Sequence, residues 1–388
     1  MKIEKITIRK VRLPFSSDFS HSLKEGAFAD NVVVEAFADG GEIRGYGESA
    51  PRPYVTGEST ESVLQSIPVF LQEGAFPWTL NDVSQIWAFV DRLPDDRSCN
   101  AALCGLEMAM LDLLGKKQYR SVSDYLPQGY SCEMIGYGAA LPLATKERIV
   151  ELCLFIKGLG INRLKLKMGK DLRQNRGILE AFSSVFHNDY DLKTDTNGAW
   201  DLETAMAHVP LIKGYRINVV EQPMMPGDPS VSEFARGLKP LNVRLMADES
   251  ACSLDEIEKI TVDGYYDMVN VRLSKCGGFR RSLRIIERLR ESNVPFQIGC
   301  QLGESGLLSA AGRILSLLCK DAMYHDGSYD ALLLYQNITE THVSFGLEGR
   351  AGPLGGTGLG VTVSQRNLEL LSDPSETITV QRPLFDQG

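Results

Sequence analysis

Five ionisable residues recur through the middle of this chain at the length of one strand-plus-helix unit. Lys167 precedes Asp195 by 28 residues, Asp195 precedes Glu221 by 26, and the steps to Asp248 and then Lys275 are 27 each. Each stands at or just past the end of a short apolar run: RLKLKMG, YDLKTDTNG, INVVEQP, VRLMADES and DMVNVRLSK. Chance surface charges have no reason to keep such a register. Strand ends of a parallel barrel do, because that architecture gathers its active site at the carboxyl ends of its strands. Asp195, Glu221 and Asp248 would come from consecutive strands, and three converging carboxylates repel unless a cation neutralises them. Oxygen donors without Cys or His favour Mg²⁺ over zinc, with Mn²⁺ as a substitute. Lys165 and Lys167 are two apart and point to one side of their strand. Lys275 would face Lys167 from across the barrel. A cation and neighbouring ammonium groups disfavour a charged lysine, which suits removal of a proton alpha to a carboxylate while the cation stabilises the enolate. Asn197, two after Asp195, would restrain that acid, and Glu249, beside Asp248, is expected on the opposite face as a partner for a lysine or a metal ligand.

Those positions need a frame. Beyond the five runs quoted, EMIGYGAAL, PFQIGCQ and, less clearly, AMYHDG also read as strands, and segments such as LRQNRGILEAFSSVF and FRRSLRIIERLRES lie between them as helices. Eight strands alternating with helices predict a (β/α)₈ barrel over residues 133–355. Ahead of it, residues 1–13, NVVVEAFA at 31–38 and GEIRGYGES read as strands. They are followed by a helix in SCNAALCGLEMAMLDLLGKK, with Ser98 as N-cap and apolar Leu103, Leu106, Met110, Leu113 and Leu114 spaced by three and four. Strands followed by helices predict an α+β unit over 1–125.

The 388 residues carry 41 Lys+Arg against 50 Asp+Glu, so no basic excess attracts a nucleic-acid backbone or an anionic membrane. No apolar run reads as a signal peptide or a membrane span, which predicts a cytoplasmic protein. The 8 cysteines include no C-x-x-C pair, which predicts reduced thiols rather than a disulfide or zinc framework.

The K-x-K of Lys165 to Lys167, the D-x-N of Asp195 to Asn197, the E-Q-P of Glu221 to Pro223, the A-D-E-S of Ala247 to Ser250 and the K-x-G-G of Lys275 to Gly278 together resemble the enolase superfamily, in its muconate-lactonizing-enzyme subgroup. The resemblance implies a capping domain built from both chain ends (1–125 with a returning segment at 356–388) over the barrel. It implies Mg²⁺ on Asp195, Glu221 and Asp248. Lys167 and Lys275 become acid/base residues on opposite faces of the substrate, with Lys165 supporting the carboxylate or enolate. YGESAPRPYVTGES resembles the capping segment and PLGGTGLGV the exit from the barrel, not a nucleotide loop. His325 and Asp326 are adjacent and would splay apart, so the His-Asp chemistry of the mandelate-racemase subgroup is not implied.

Reactions of the subgroup include dipeptide epimerisation, N-acylamino-acid racemisation, o-succinylbenzoate synthesis and muconate cycloisomerisation. PRPYVTGES most resembles the loop of dipeptide epimerases. Three departures bear on the substrate: the eighth strand carries over only Asp326 of a D-x-D motif, GCQLGES has one residue more than usual, and Arg272 replaces a lysine. Substrate-contact candidates are Asp326 at the eighth strand and Phe19, His21, Phe28 and Tyr54 from closing loops, with Gln301 and Glu304 expected as exposed polar groups at the mouth. The leading expectation is a Mg²⁺-dependent epimerase or racemase acting on a small carboxylate, a dipeptide or an N-acyl amino acid, in a symmetric homo-oligomer. A cycloisomerase or β-elimination enzyme would need only one lysine. A non-catalytic barrel binding a small carboxylate is the reading from another class.

Overall fold

The structure, a computed structural model, describes residues 1–16, 27–72, 75–95, 97–127 and 130–383. Strands Ile3–Pro14, Phe28–Ala38 and Ile43–Ser49 form an antiparallel sheet that Ser372–Gln381, from the far end of the chain, completes at its edge. Helices Thr60–Gln72, Val83–Val90 and Asn100–Gln118 pack with it. The last helix begins one residue later than the sequence pattern suggests. Ser98 lies in a one-turn 3-10 helix, Arg97–Cys99, and the capping position falls to Cys99, whose side chain makes no cap bond. Nor is the helix amphipathic: it is buried on every side from Asn100 to Gly115, Glu107 and Asp112 included. Such burial requires close approach, and a side chain at Gly47 would collide with the Gly105 carbonyl.

Eight parallel strands follow: Ala139–Leu141, Arg163–Lys167, Asp191–Asp195, Ile217–Glu221, Arg244–Ala247, Met268–Val271, Phe296–Ile298 and Tyr324–His325, paired in that order. Gly138 N donates to His325 O at 2.8 Å and ties the two ends of this curled sheet together. The run EMIGYGAAL divides, because Ile135–Gly136 pairs instead with Arg350–Ala351 and only Ala139–Leu141 enters the barrel. Helices between successive strands cover the outside.

One apolar core joins the cap to half the barrel: Ile6, Val34 and Leu106 share a cluster with Phe279, Ile286 and Leu308. The other half has its own core around Leu166, Phe182 and Phe234. The barrel mouth is thus braced from beneath the cap on one side. Among the described residues, no helix is long and apolar enough to cross a membrane.

Candidate active site

Strand parity places the chemistry. Lys165 and Lys167 alternate with the core residues Leu164 and Leu166, and their register partners on the next strand are Lys193 and Asp195. Lys193 is a residue that the spacing argument missed, although it stands two before Asp195 and therefore on the same inward side. Two buried lysines side by side need an anion, and Asp326 from the eighth strand supplies it. Its carboxylate lies 3.0 Å from Lys165 Nζ and 3.1 Å from Lys193 Nζ. Lys193 also donates to Gln297 and sits 4.3 Å from the centroid of the Tyr324 ring.

The three predicted metal carboxylates occupy successive strand ends and are fully buried. Lys167 Nζ donates to Asp195 Oδ2 at 2.7 Å, Lys165 Nζ to Glu221 Oε2 at 3.2 Å, and Lys275 Nζ to Asp248 Oδ1 at 3.1 Å. Lys275 is not on a strand: it lies in the short helix Leu273–Cys276 after the sixth strand, where its ammonium also donates to the carbonyls of Asp248 and Asn270. Lys167 and Lys275 therefore reach the acids from opposite ends of the Asp195, Glu221, Asp248 row.

Backbone and side-chain bonds fix the row. Asn197, at a positive φ of 48°, donates its backbone N–H to Asp195 Oδ1 at 2.9 Å and its amide to Glu249 Oε1 at 3.0 Å. It also accepts from Lys167. Gln222, at φ 37°, accepts from the backbone N–H groups of Asp248 at 2.9 Å and Ser250 at 3.1 Å, which sets the turn after the fifth strand. Asn270 donates to Glu221 Oε1 at 2.7 Å. Neither Gln222 nor Asn270 was singled out from the sequence, because a neutral amide leaves no charge pattern.

Arg272 takes a position that its place in the sequence did not specify. One nitrogen of its guanidinium donates to Asp248 and lies 3.4 Å from Glu221, and another donates to Gln301 Oε1 at 3.0 Å. Among the described residues, no three Asp, Glu, His or Cys side chains stand close enough together to hold a metal ion as they are. The donor set nevertheless fits one in kind. It comprises three buried carboxylates on adjacent strand ends, neutralised by ammonium and guanidinium groups, with the neighbouring Glu249 Oε2 and Asn270 Oδ1 buried and unpartnered. A hard divalent cation would replace the guanidinium between Glu221 and Asp248.

The electrostatics are those of a polar interior. Burial raises the Asp195 pKa, but Lys167 and Lys165 outweigh it and hold the group at about 2. Burial also raises Asp326, and Lys193 and Lys165 bring it well below the usual carboxylate range. Burial lowers Lys275. Glu249, farther from the lysines, is pushed up by burial to about 7, with the Asp195 charge adding to the rise.

Arg272, Gln301, Asp326 and Tyr54 line one cleft with Lys165, Lys167, Asp195 and Asn197. Glu304 does not line it. Instead of exposed polar groups at the rim, Gln301 is 2% and Glu304 8% exposed. Glu304 accepts from Gln301 N at 2.5 Å, and burial pushes it up to about 8. The inward turn follows from the packing at Gly303. Gly303, at φ 75°, presses against Ala29 so closely that any side chain would collide, and its carbonyl accepts from Asn31 at 2.8 Å. Phe28 packs under Arg12 at 5.6 Å and does not line the cleft. Phe19 and His21 lie outside the described residues.

A sequence profile described as Enolase C-terminal domain-like matches residues 148–367. The hydrophobic dipeptide epimerase of Enterococcus faecalis is 27% identical over 318 residues, covering 80% of this chain and 86% of its own. The N-succinyl-L-Arg/Lys racemase of Bacillus cereus is 26% identical, covering 80% of this chain and 83% of its own. Among solved structures, the N-succinyl Arg/Lys racemase of Bacillus cereus superposes with a TM-score of 0.85 at 23% identity, over 98% of this chain and 100% of the other. The 2-chloromuconate cycloisomerase of Rhodococcus opacus gives 0.83 at 20% identity, over 96% and 100%. At those identities the superpositions speak for the fold: a (β/α)₈ barrel with a capping domain.

Proposed function

The chain belongs to the Enolase C-terminal domain-like family, and on that premise we propose that it is an epimerase or racemase, an isomerase that moves the proton alpha to the carboxylate of a dipeptide or N-acyl amino acid. The observation that carries this reading is the placement of Lys167 and Lys275 at opposite ends of the acidic row, one bonded to Asp195 and the other to Asp248. Asp195, Glu221 and Asp248 would hold Mg²⁺, or Mn²⁺ in its place. Such an ion supplies Lewis-acid stabilisation of negative charge on the substrate carboxylate. The ligands of two structural neighbours agree with this reading: the dipeptide epimerase of Cytophaga hutchinsonii was solved with Mg and D-Ala-L-Val, and that of Enterococcus faecalis with Mg and L-Leu-L-Tyr.

The rest is the work of this chain's own groups. Five cations (Lys165, Lys167, Lys193, Arg272 and Lys275) face five acids (Asp195, Glu221, Asp248, Glu249 and Asp326) in the interior, so a bound divalent cation leaves a positive excess suited to an enolate with two negative charges. One catalytic lysine enters as the free amine and takes the alpha proton. The other enters as ammonium and delivers its proton to the opposite face of the same carbon. The two lysines end the turnover with their protonation states exchanged, and the reverse isomer uses them in the reverse order. Lys165, held by Glu221 and Asp326, keeps a positive charge next to the developing enolate.

Exchange of the alpha hydrogen in D₂O tests the assignment. Both isomers of a substrate should exchange in the Mg²⁺-loaded protein. Lys275→Ala should stop interconversion, by about 10²-fold or more, while leaving exchange from one isomer. Absence of exchange from every dipeptide and N-acyl amino acid tried would sink the reading. Cyclisation or elimination that survives loss of one lysine would favour the single-base chemistry of a cycloisomerase or β-elimination enzyme.

A further inference from the structure

The cleft does not end at the reacting lysines. Past Lys165 and Asp326 it runs between the helix Lys146–Gly158 and the short helix Asp330–Leu333, where its wall becomes apolar: Leu141, Phe155, Leu159, Leu333 and Phe345. The space is continuous from the lysines to these apolar side chains, about 1230 Å³ with its opening to solvent included. An amino acid with a small acyl group would leave the apolar end empty.

The polar end is equally selective. Every carboxylate that lines the cleft is committed among the described residues, Asp195 to Lys167 and Asp326 to both Lys165 and Lys193. A substrate ammonium would have to displace a buried lysine from Asp326, which is 4% exposed. What the cleft offers instead are donors. Gln301 Nε2 and Arg272 Nε are buried without partners, and both residues line it. Unsatisfied buried donors are costly until an acceptor arrives. The substrate must bring oxygens here, not an ammonium.

We infer that the substrate is an amino acid acylated on nitrogen by an extended uncharged hydrocarbon or aryl group, with its carboxylate among the lysines, its amide oxygen toward Gln301 and its acyl chain in the apolar slot. This deepens the proposed function and rests on it for the position of the reacting carbon. Continuity with the reacting lysines makes the slot part of the substrate site and not a separate one.

Two titrations of the Mg²⁺-loaded protein by calorimetry test it. In the first, N-acetyl-, N-hexanoyl- and N-decanoyl-alanine are compared. Each methylene fully buried is worth about 0.8 kcal/mol, close to fourfold in affinity, so the series should tighten by more than 100-fold overall. Leu159→Trp and Leu333→Trp, each filling the slot from a different wall, should flatten that gradient below tenfold. A flat gradient in the unmodified protein overturns the inference. So does a gradient that both variants retain. In the second titration, N-propionyl-alanine is set against alanyl-alanine, which differs by an ammonium group. The acyl compound should bind at least tenfold tighter, and a tighter dipeptide overturns the inference. Alpha-hydrogen exchange of the same compounds reports separately on the proposed reaction. Exchange without a chain-length gradient removes the slot and leaves the reaction, whereas a gradient without exchange does the reverse.

Discussion

At the barrel mouth Asp195 and Asp326 lie against ammonium groups, whereas at the seam between cap and barrel Glu107 and Glu48 lie against backbone amides. Both pairs are buried. Glu107 accepts from Phe279 N at 2.5 Å and Arg280 N at 2.9 Å at the start of helix Gly278–Glu291. Glu48 accepts from Ser305 N at 2.9 Å and Leu308 N at 3.0 Å at the start of helix Gly306–Leu317. Cap residues thus supply the caps of barrel helices, and the seam is held by polar bonds as well as by the shared apolar core. The consequences for protonation are opposite. At the mouth full cationic charges overcome burial and keep the acids ionised. At the seam burial wins over the amides, pushing Glu107 up to about 8 and Glu48 above its ordinary value. On the proposed function the difference follows from use: the mouth would hold charge to bind a cation and move protons, and the seam needs only acceptors.

The sharpest way to break this contrast is to remove a cation from the mouth. Lys193→Met leaves Asp326 to Lys165 alone and strands Gln297, and breaking a buried pair from one side costs about 3–5 kcal/mol. Adding Asp326→Asn should recover most of that loss, so a denaturant double-mutant cycle should show strong coupling. A loss under about 1 kcal/mol in the single variant, below the usual cost of a stranded buried group, would mean that charge does not hold the mouth together.

At the seam the corresponding change is smaller. Glu107→Ala leaves two helix-terminal N–H groups without their acceptor and should cost about 1–3 kcal/mol, with Glu107→Gln costing less. The pH dependence carries the sign of the comparison. The Glu107 pKa is raised in the folded state, from 4.5 to about 8. Its stabilisation is therefore full below pH 4.5 and is lost as pH rises through 8. One such group gives a slope of up to about 1.4 kcal/mol per pH unit in that window. Asp195 is displaced the other way, from 3.8 to about 2, and its contribution is lost as pH falls through that interval. Chemical denaturation at several pH values should show the slope between pH 5 and 8 flatten in Glu107→Gln. An unchanged slope would place the titration elsewhere.

The two regions also differ in how legible they are in the sequence. The mouth could be read because four successive strand ends contribute a charged residue once per unit, and Lys167, Asp195, Glu221 and Asp248 fall where that spacing puts them. Lys275 reaches the same row from a helical turn, a difference the spacing could not register. The seam could not be read: Glu107 and Asp112 sit in a helix whose neighbours on every side come from distant parts of the chain, so no local periodicity marks them as buried. Gln301 and Glu304 were expected at the surface because polarity at a strand end usually means solvent. The turn at Gly303, drawn against Ala29 and Asn31 of the cap, directs them inward.

Arg272 sharpens the comparison with the smallest expected effect, because on the proposed function its charge occupies the place a metal charge would take. Its guanidinium lies between Glu221 and Asp248, so a divalent cation entering there must displace it. Arg272→Met should then bind Mg²⁺ about tenfold more tightly, equivalent to about 1.4 kcal/mol, since no competing cation has to leave. The same variant should be less stable without metal, because two buried acids lose a counter-charge, and should gain more melting temperature from added Mg²⁺. Both readouts are free of substrate, so they separate metal occupancy from turnover. Weaker Mg²⁺ binding by Arg272→Met would reverse the conclusion: the guanidinium would then organise the carboxylates for the ion instead of standing in for it, and the mouth would resemble the seam in using fixed donors to hold its acids.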